Sequence, residues 1–353
     1  MIIVDGHLDL AFNALRHGRD LLQPLAELRQ FEEKTGAESR KLNGTAIVTL
    51  PALQEAGVKI VFGSLFVPPI SRAVSEHPGR FFYRNKEEAF RLAMEQMDYY
   101  HRLADDLPYL RLVTDHSALN KVLDSPQLLG IVPMMEGADS VREPSEVEMW
   151  YERGLRMIAL AWDDTGYSAG AWRGVGGLTE DGRHLLELMA DLGFILDLSH
   201  MSEPATYEAL DSYDGRIVAS HSNVRRLVPA QRQLSDRQIY RIAERDGVIG
   251  IVLYNKFLKA DHKRGDPKEA VTIDHVIAHI DHICQCVGSS LHAGLGSDFD
   301  GGFGLEDVPA EIDEVCDLKL ISNALAEHGY ETNDVENIMG GNWLRVLNET
   351  LPV

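Results

Sequence analysis

FILDLSH, residues 194–200, and IVASHS, residues 217–222, decide how this chain is read. Each is an apolar run of strand length with a histidine at its C-terminal end, His200 and His221. A buried strand ordinarily gives way to turn residues, and one that ends on an imidazole or carboxylate must find that group a partner. The same ending recurs in IIVDGHLD (2–9) with His7 and Asp9, in GIVPMME (130–136) with Glu136, and in HAGLGSDF (292–299) with Asp298. His7 and Asp9 are two apart, so on a strand they point to one face and can grip one ion. Singly, each has an ordinary explanation: a hydrogen-bonded histidine, a glutamate paired with an arginine, an aspartate capping a following helix. Jointly they call for a shared partner, and nitrogen and oxygen donors without thiolates suit zinc or a similar divalent ion.

Working outward, apolar runs at 60–67, 157–162 and 248–254 bring the strand candidates to eight. Amphipathic stretches at 86–106, 182–193 and 236–247 separate them. Near-continuous apolar strands alternating with helices predict parallel pairing with both sheet faces covered. The fold class is α/β, a (β/α)8 TIM barrel with insertions. In a barrel all strand C-terminal ends meet on one face, where the loops carry the chemistry. An open doubly wound sheet would hold the first and last strands far apart. The segment 9–50, charged and interrupted by Pro24 and Gly36, reads as an irregular or helical excursion from the barrel. No linker, repeat or GxGxxG fingerprint divides the chain, so residues 1–353 are expected to form one domain.

The hydrophobic fraction of 44% fits a chain with a sizeable core. A formal charge of −21 argues against nucleic acid and anionic membrane surfaces, which would repel it. The three cysteines, Cys284, Cys286 and Cys316, read as reduced thiols in a reducing compartment. The opening MIIVDGHLDL reads as the first strand and not as a leader, and no stretch approaches a membrane span. A cytoplasmic protein without membrane attachment is expected.

DGHLD, EG at 136–137, GLTEDG at 177–182, DLSH at 197–200, SHSN at 220–223, GLGSDFDG at 294–301 and GGNWLRVL at 340–347 follow one another along nearly the whole chain. In that order they resemble the renal or membrane dipeptidases, zinc peptidases of the amidohydrolase-like barrel group. The resemblance implies two Zn2+ per chain, other divalent ions being able to substitute. His7 and Asp9 would hold one, His200 and His221 the other, and Glu136 would bridge them. A metal-bridging hydroxide would attack the carbonyl of a small dipeptide, including one ending in a D-residue, and Asp298 would shuttle the proton. Arg232 would meet the free carboxylate of the substrate, and Tyr254 would line the pocket. The chain departs from several family members at the end of the fourth run, where Trp162 replaces a histidine that contacts the substrate carbonyl. An indole donates one hydrogen bond and cannot become cationic. The family is compatible with a homodimer. Two other readings stand beside this one: a zinc amidohydrolase acting on N-acyl amino acids, lactams or other small amides, and an idle metal-binding or assembly protein. The complete set from His7 to Asp298 speaks against the last.

Overall fold

The computed structural model describes residues 1–72 and 82–353. Its strands are β1 (Ile3–Leu8), β2 (Val58–Phe66), β3 (Leu110–Leu112), β4 (Leu129–Glu136), β5 (Met157–Ala159), β6 (Ile195–Asp197), β7 (Ile217–Val218), β8 (Ile249–Ile251) and β9 (Ala293–Leu295). All pair in parallel, in the order β7-β6-β5-β4-β2-β1-β9-β8. An isolated parallel bridge between Ala219 and Ile249 brings the two ends together. There Ala219 N–H donates to the Val248 carbonyl at 2.9 Å and Gly250 N–H to the Ala219 carbonyl at 2.8 Å. The result is the eight-stranded (β/α)8 barrel expected from the alternating runs.

Each of the eight runs contains a strand, but β5 to β9 keep only two or three residues in regular pairing. Their C-terminal halves leave the ladder and become the loops that carry His200, His221 and Asp298. The sequence reading did not anticipate β3. It lies beside the first half of β4, at Leu129–Ile131, while β5 pairs with Met134–Glu136. A three-residue strand with one polar position carries no periodicity from which it could have been read.

The period of two along the strands sets what faces the barrel interior. Ile60 and Phe62 of β2 and Val132 and Met134 of β4 belong to an inner apolar cluster with Val4, Met157, Ile195 and Val218. Trp343, on the helix Asn342–Thr350, joins this cluster and plugs the barrel bottom. Its indole N–H donates to the Leu295 carbonyl at 2.9 Å. Continuing the same alternation carries Ser64, Phe66 and Glu136 to the inside of the top. A larger apolar cluster lies between the strands and the surrounding helices. The seam near β7 needs glycine: a Cβ on Gly250 or Gly296 would stand 2.0 or 1.9 Å from the Ser220 carbonyl oxygen.

Predicted helices appear at Lys86–Asp106, Glu180–Leu192 and Asp236–Ala243, each capped by a polar residue, Asn85, Thr179 or Ser235. The segment after β1 is helical, with Leu10–Arg16, Leu25–Thr35 and Glu38–Asn43 folded over the barrel mouth side. Among the described residues no helix is long and apolar enough to cross a membrane.

Candidate metal centre

The strand ends bring all six predicted residues into one cluster. Glu136 stands at its middle, with its two carboxylate oxygens turned to different partners. Oε1 lies 3.1 Å from His200 Nε2 and 3.2 Å from His221 Nε2, whereas Oε2 lies 3.7 Å from His7 Nε2. His7 Nε2 is 3.5 Å from Asp9 Oδ1 and 3.9 Å from Asp298 Oδ1. The two imidazoles of the other group point nitrogen to nitrogen, His200 Nε2 to His221 Nε2 at 2.9 Å. Donors about 2.0–2.2 Å from a tetrahedral ion stand roughly 3.3–3.6 Å from one another, close to these separations. Geometrically, the sets His7–Glu136–His221 and His7–Asp9–Asp298 could each hold an ion.

The electrostatics of the cluster agree with a cation between these groups. Both ring nitrogens of His7 are buried with no hydrogen-bond partner. Burial works against charging His7, yet the carboxylates of Glu136, Asp9 and Asp298 outweigh it and raise its pKa to about 10. Burial, with the nearby charges of Arg232 and His7, holds His200 and His221 well below the usual imidazole range. Both are therefore neutral, with lone pairs free to ligate. Burial pushes the Glu136 carboxyl well above the carboxylate range, with Asp9 and Asp298 adding to it. Asp298 keeps 13% of its side chain open to the cavity, but burial and the Asp9 charge still raise it to about 8. A divalent ion would relieve the crowding of negative charge that drives these shifts. The residues present fit a metal.

Two aspartates that the sequence reading passed over hold the cluster in shape. Asp197 accepts from Ser220 N–H at 2.8 Å and from Ser199 N–H at 2.9 Å. It also takes the Ser220 hydroxyl, whose oxygen lies 2.7 Å from His221 Nδ1. Asp5 does the same on the other side, accepting from Ser297 N–H at 2.8 Å and Ser297 Oγ at 2.5 Å, next to Asp298. Ser64 donates to Asp9 Oδ1. The signal was present in VDGH and LDLSH, since an acidic residue inside an apolar run must be paired. Two site residues adopt positive φ, His200 at 67° and Asp298 at 58°, a conformation that histidine and aspartate tolerate better than most side chains.

Above the cluster opens a cavity of about 200 Å3 whose floor is Asp9, Glu136, His200, His221 and Asp298. Its walls include Phe12, Phe66, Trp162, Trp172, Tyr254 and Phe257. Trp162 and Tyr254 thus line the cavity, together with Trp172, Phe12, Phe66 and Phe257, which the sequence did not single out because no single motif joins them. Tyr254 stacks on Phe303, ring centroids 4.5 Å apart. Arg232 stands one layer behind this surface, 4% exposed, and is not an arginine on an open loop. Its guanidinium donates to Ser222 Oγ at 2.9 Å and to the His221 carbonyl at 2.7 Å, while Nε is buried without a partner. Burial lowers its pKa to about 10, so it remains cationic at neutral pH.

A parallel barrel whose strand ends gather imidazoles and carboxylates defines the class of metal-dependent barrel hydrolases. More particularly, the chain belongs to the membrane dipeptidase family, peptidase family M19, whose family model matches residues 1–352. It is a metallo-dipeptidase of that family, a hydrolase of peptide bonds. An uncharacterized dipeptidase of Schizosaccharomyces pombe is 31% identical over 268 residues, covering 74% of this chain and 63% of the relative. Dipeptidase 3 of Mus musculus is 26% identical over 356 residues, covering 98% of this chain and 64% of its own length. A metallopeptidase from Rhodobacter sphaeroides, solved with a phosphinate mimic of the dipeptide L-Ala-D-Ala, shares the fold with a TM-score of 0.81. Its identity is 24%, over 99% of each chain.

Proposed function

We propose that the protein is a soluble, binuclear zinc dipeptidase, with residues 1–353 as one catalytic domain. The observation that carries this reading is the division at Glu136, one oxygen facing His200 and His221 and the other facing His7. A carboxylate so placed could serve two ions, of which His7 and Asp9 would hold the first and His200 and His221 the second. When bound, the ions would supply an activated water at neutral pH and polarise the scissile carbonyl. Asp298, at the cavity edge beside His7, would take a proton from the attacking water and deliver it to the leaving amine. Arg232 meets the terminal carboxylate with the N–H donors left over from Ser222 and His221. Tyr254 and Trp162 bound the substrate. Trp162 can donate a hydrogen bond but no charge, so less of the carbonyl stabilisation rests on this position than on a histidine there.

The solved relative bound to an L-Ala-D-Ala mimic supports extending the substrate class to dipeptides ending in a D-residue. Three free, partly buried cysteines suit a reducing cytoplasm. The test is elemental analysis of the purified protein together with turnover of a library of L,L and L,D dipeptides, their C-terminal amides, matching tripeptides and N-acyl amino acids. The expected result is two ions per chain and cleavage confined to free dipeptides. At most one ion in fully loaded protein would overturn the binuclear centre. Preference for the N-acyl compounds would move the enzyme to the amidohydrolases of blocked amino acids.

A further inference from the structure

The cavity wall carries an indole, that of Trp172, that neither the metal centre nor the hydrolytic reading uses. Trp172 leaves 41% of its surface exposed while its indole lines the cavity. Its ring centroid lies 5.7 Å from that of His200 and 6.4 Å from that of Phe257. Trp162 approaches the same histidine, with ring centroids 6.1 Å apart. Exposed tryptophan in a cavity is apolar surface kept in contact with water until a ligand covers it.

The two indoles are fixed relative to each other through their neighbours in sequence. Asp163, next to Trp162, has a buried carboxylate that pairs with Arg173, next to Trp172, at 3.2 and 3.3 Å. The same carboxylate takes Arg72 at 2.5 and 2.8 Å. On the Trp172 side, Ala171 N–H donates to the His200 carbonyl at 2.7 Å, and Ser202 N–H to the Ala169 carbonyl at 2.9 Å. The Ser202 hydroxyl holds the Gly176 carbonyl at 2.7 Å. The loop carrying Trp172 is therefore tied to the segment that carries His200. A slot held open by such bonds costs little ordering when a side chain enters it.

We propose that Trp162 and Trp172 form an aromatic slot that selects dipeptides by an apolar side chain, with aromatic ones preferred. The inference rests on the dipeptidase reading, in which Arg232 meets the terminal carboxylate. Arg232 lies 5.8 Å from the centroid of Phe257, which in turn neighbours Trp172. The side chain against Trp172 is therefore that of the C-terminal residue. Among the described residues, Arg173 is already engaged by both Asp163 and Asp164 and Arg72 by Asp163, so neither is free to meet an acidic side chain. A glycine leaves the slot empty.

The test compares kcat/KM for Ala-Gly, Ala-Leu, Ala-Phe and Ala-Glu, with the last residue in whichever configuration the enzyme accepts. The proteins are wild type, Trp172→Ala and Trp172→Phe, each loaded with metal. Wild type should favour Ala-Phe over both Ala-Gly and Ala-Glu by at least tenfold. The ratio of Ala-Phe to Ala-Gly should fall at least tenfold in Trp172→Ala and recover most of its value in Trp172→Phe. Similar rates for all four peptides in wild type would overturn the slot while leaving the dipeptidase intact, as would an equal loss on every peptide in Trp172→Ala. No cleavage of any peptide by the loaded wild type would overturn the dipeptidase reading and the slot with it.

Discussion

At the scale of single residues, Glu136 and Asp298 are both acidic groups with raised pKa in one cavity, and their surroundings give them different tasks. Glu136 is nearly fully buried between three imidazoles, so removing one of its charged oxygens should disturb both halves of the centre. Elemental analysis of Glu136→Gln should show both ions lost together; full retention of one would remove the bridge. Asp298 touches only the His7 side and opens to the cavity, so Asp298→Asn should keep fold and metal while turnover drops by roughly 10²–10⁴-fold. Near-normal turnover would take Asp298 out of the reaction, and loss of metal would make it a ligand. His279, away from this cluster, reports on stability. It is buried, accepts from Val224 N–H at Nδ1 (3.0 Å) and donates from Nε2 to the Leu258 carbonyl at 3.2 Å. Burial lowers its pKa to about 4, against roughly 6.5 in an unfolded chain. Above that unfolded value neither state is protonated and the full stability is present. As pH falls toward 4 only the unfolded chain takes the proton, and up to about 3 kcal/mol is lost. Urea melts of metal-free protein at pH 7 and 4.5 should show a smaller loss for His279→Gln than for wild type; equal losses would clear His279.

At the scale of elements, the helical segment after β1 is joined to the loop beyond β9 by one buried arginine. Arg19 donates to Glu32 Oε1 at 2.9 Å and to the Gly44 carbonyl at 2.6 Å, and pairs with Asp300 Oδ1 at 3.1 Å. Asp300 in turn accepts from Ile47 and Val48 N–H groups and lies two residues beyond Asp298. Arg19→Met would leave two buried carboxylates without their cation, at a cost of about 3–5 kcal/mol. Denaturant midpoints would measure it, and a loss under 1 kcal/mol would show that the network is dispensable. The positions of the eight runs were legible because strands buried on both faces read as unbroken apolar stretches. Their true lengths were not, since LSH and ASHS look as strand-like as the residues before them. What ends β6 and β7 early is the hydrogen bonding of Asp197 across to Ser220, a contact between residues distant in sequence.

At the scale of the whole molecule, the barrel holds the first and last strands side by side, and so holds the two halves of the metal centre together. Ions that bind only the folded barrel must stabilise it by mass action, about 4 kcal/mol when free metal is a thousand times Kd. Chelation should therefore lower Tm by several degrees and abolish turnover, and zinc should restore both. A Tm indifferent to chelator would mean that the folded and unfolded chains bind metal alike.

The sequence by itself determined which residues would end the strands, that the strands would be parallel, and that nitrogen and oxygen donors would converge on one face. Those follow from local rules: apolar period, burial cost and donor chemistry. It could not assign the spacing at Glu136 or the support from Asp5 and Asp197. Nor did it show that Arg232 is buried behind His221, or that an ion pair between Asp163 and Arg173 ties the segment of Trp162 to that of Trp172. These depend on barrel closure, which places side chains from different βα units within 3–4 Å of one another, and no local pattern encodes which distant residue that neighbour will be.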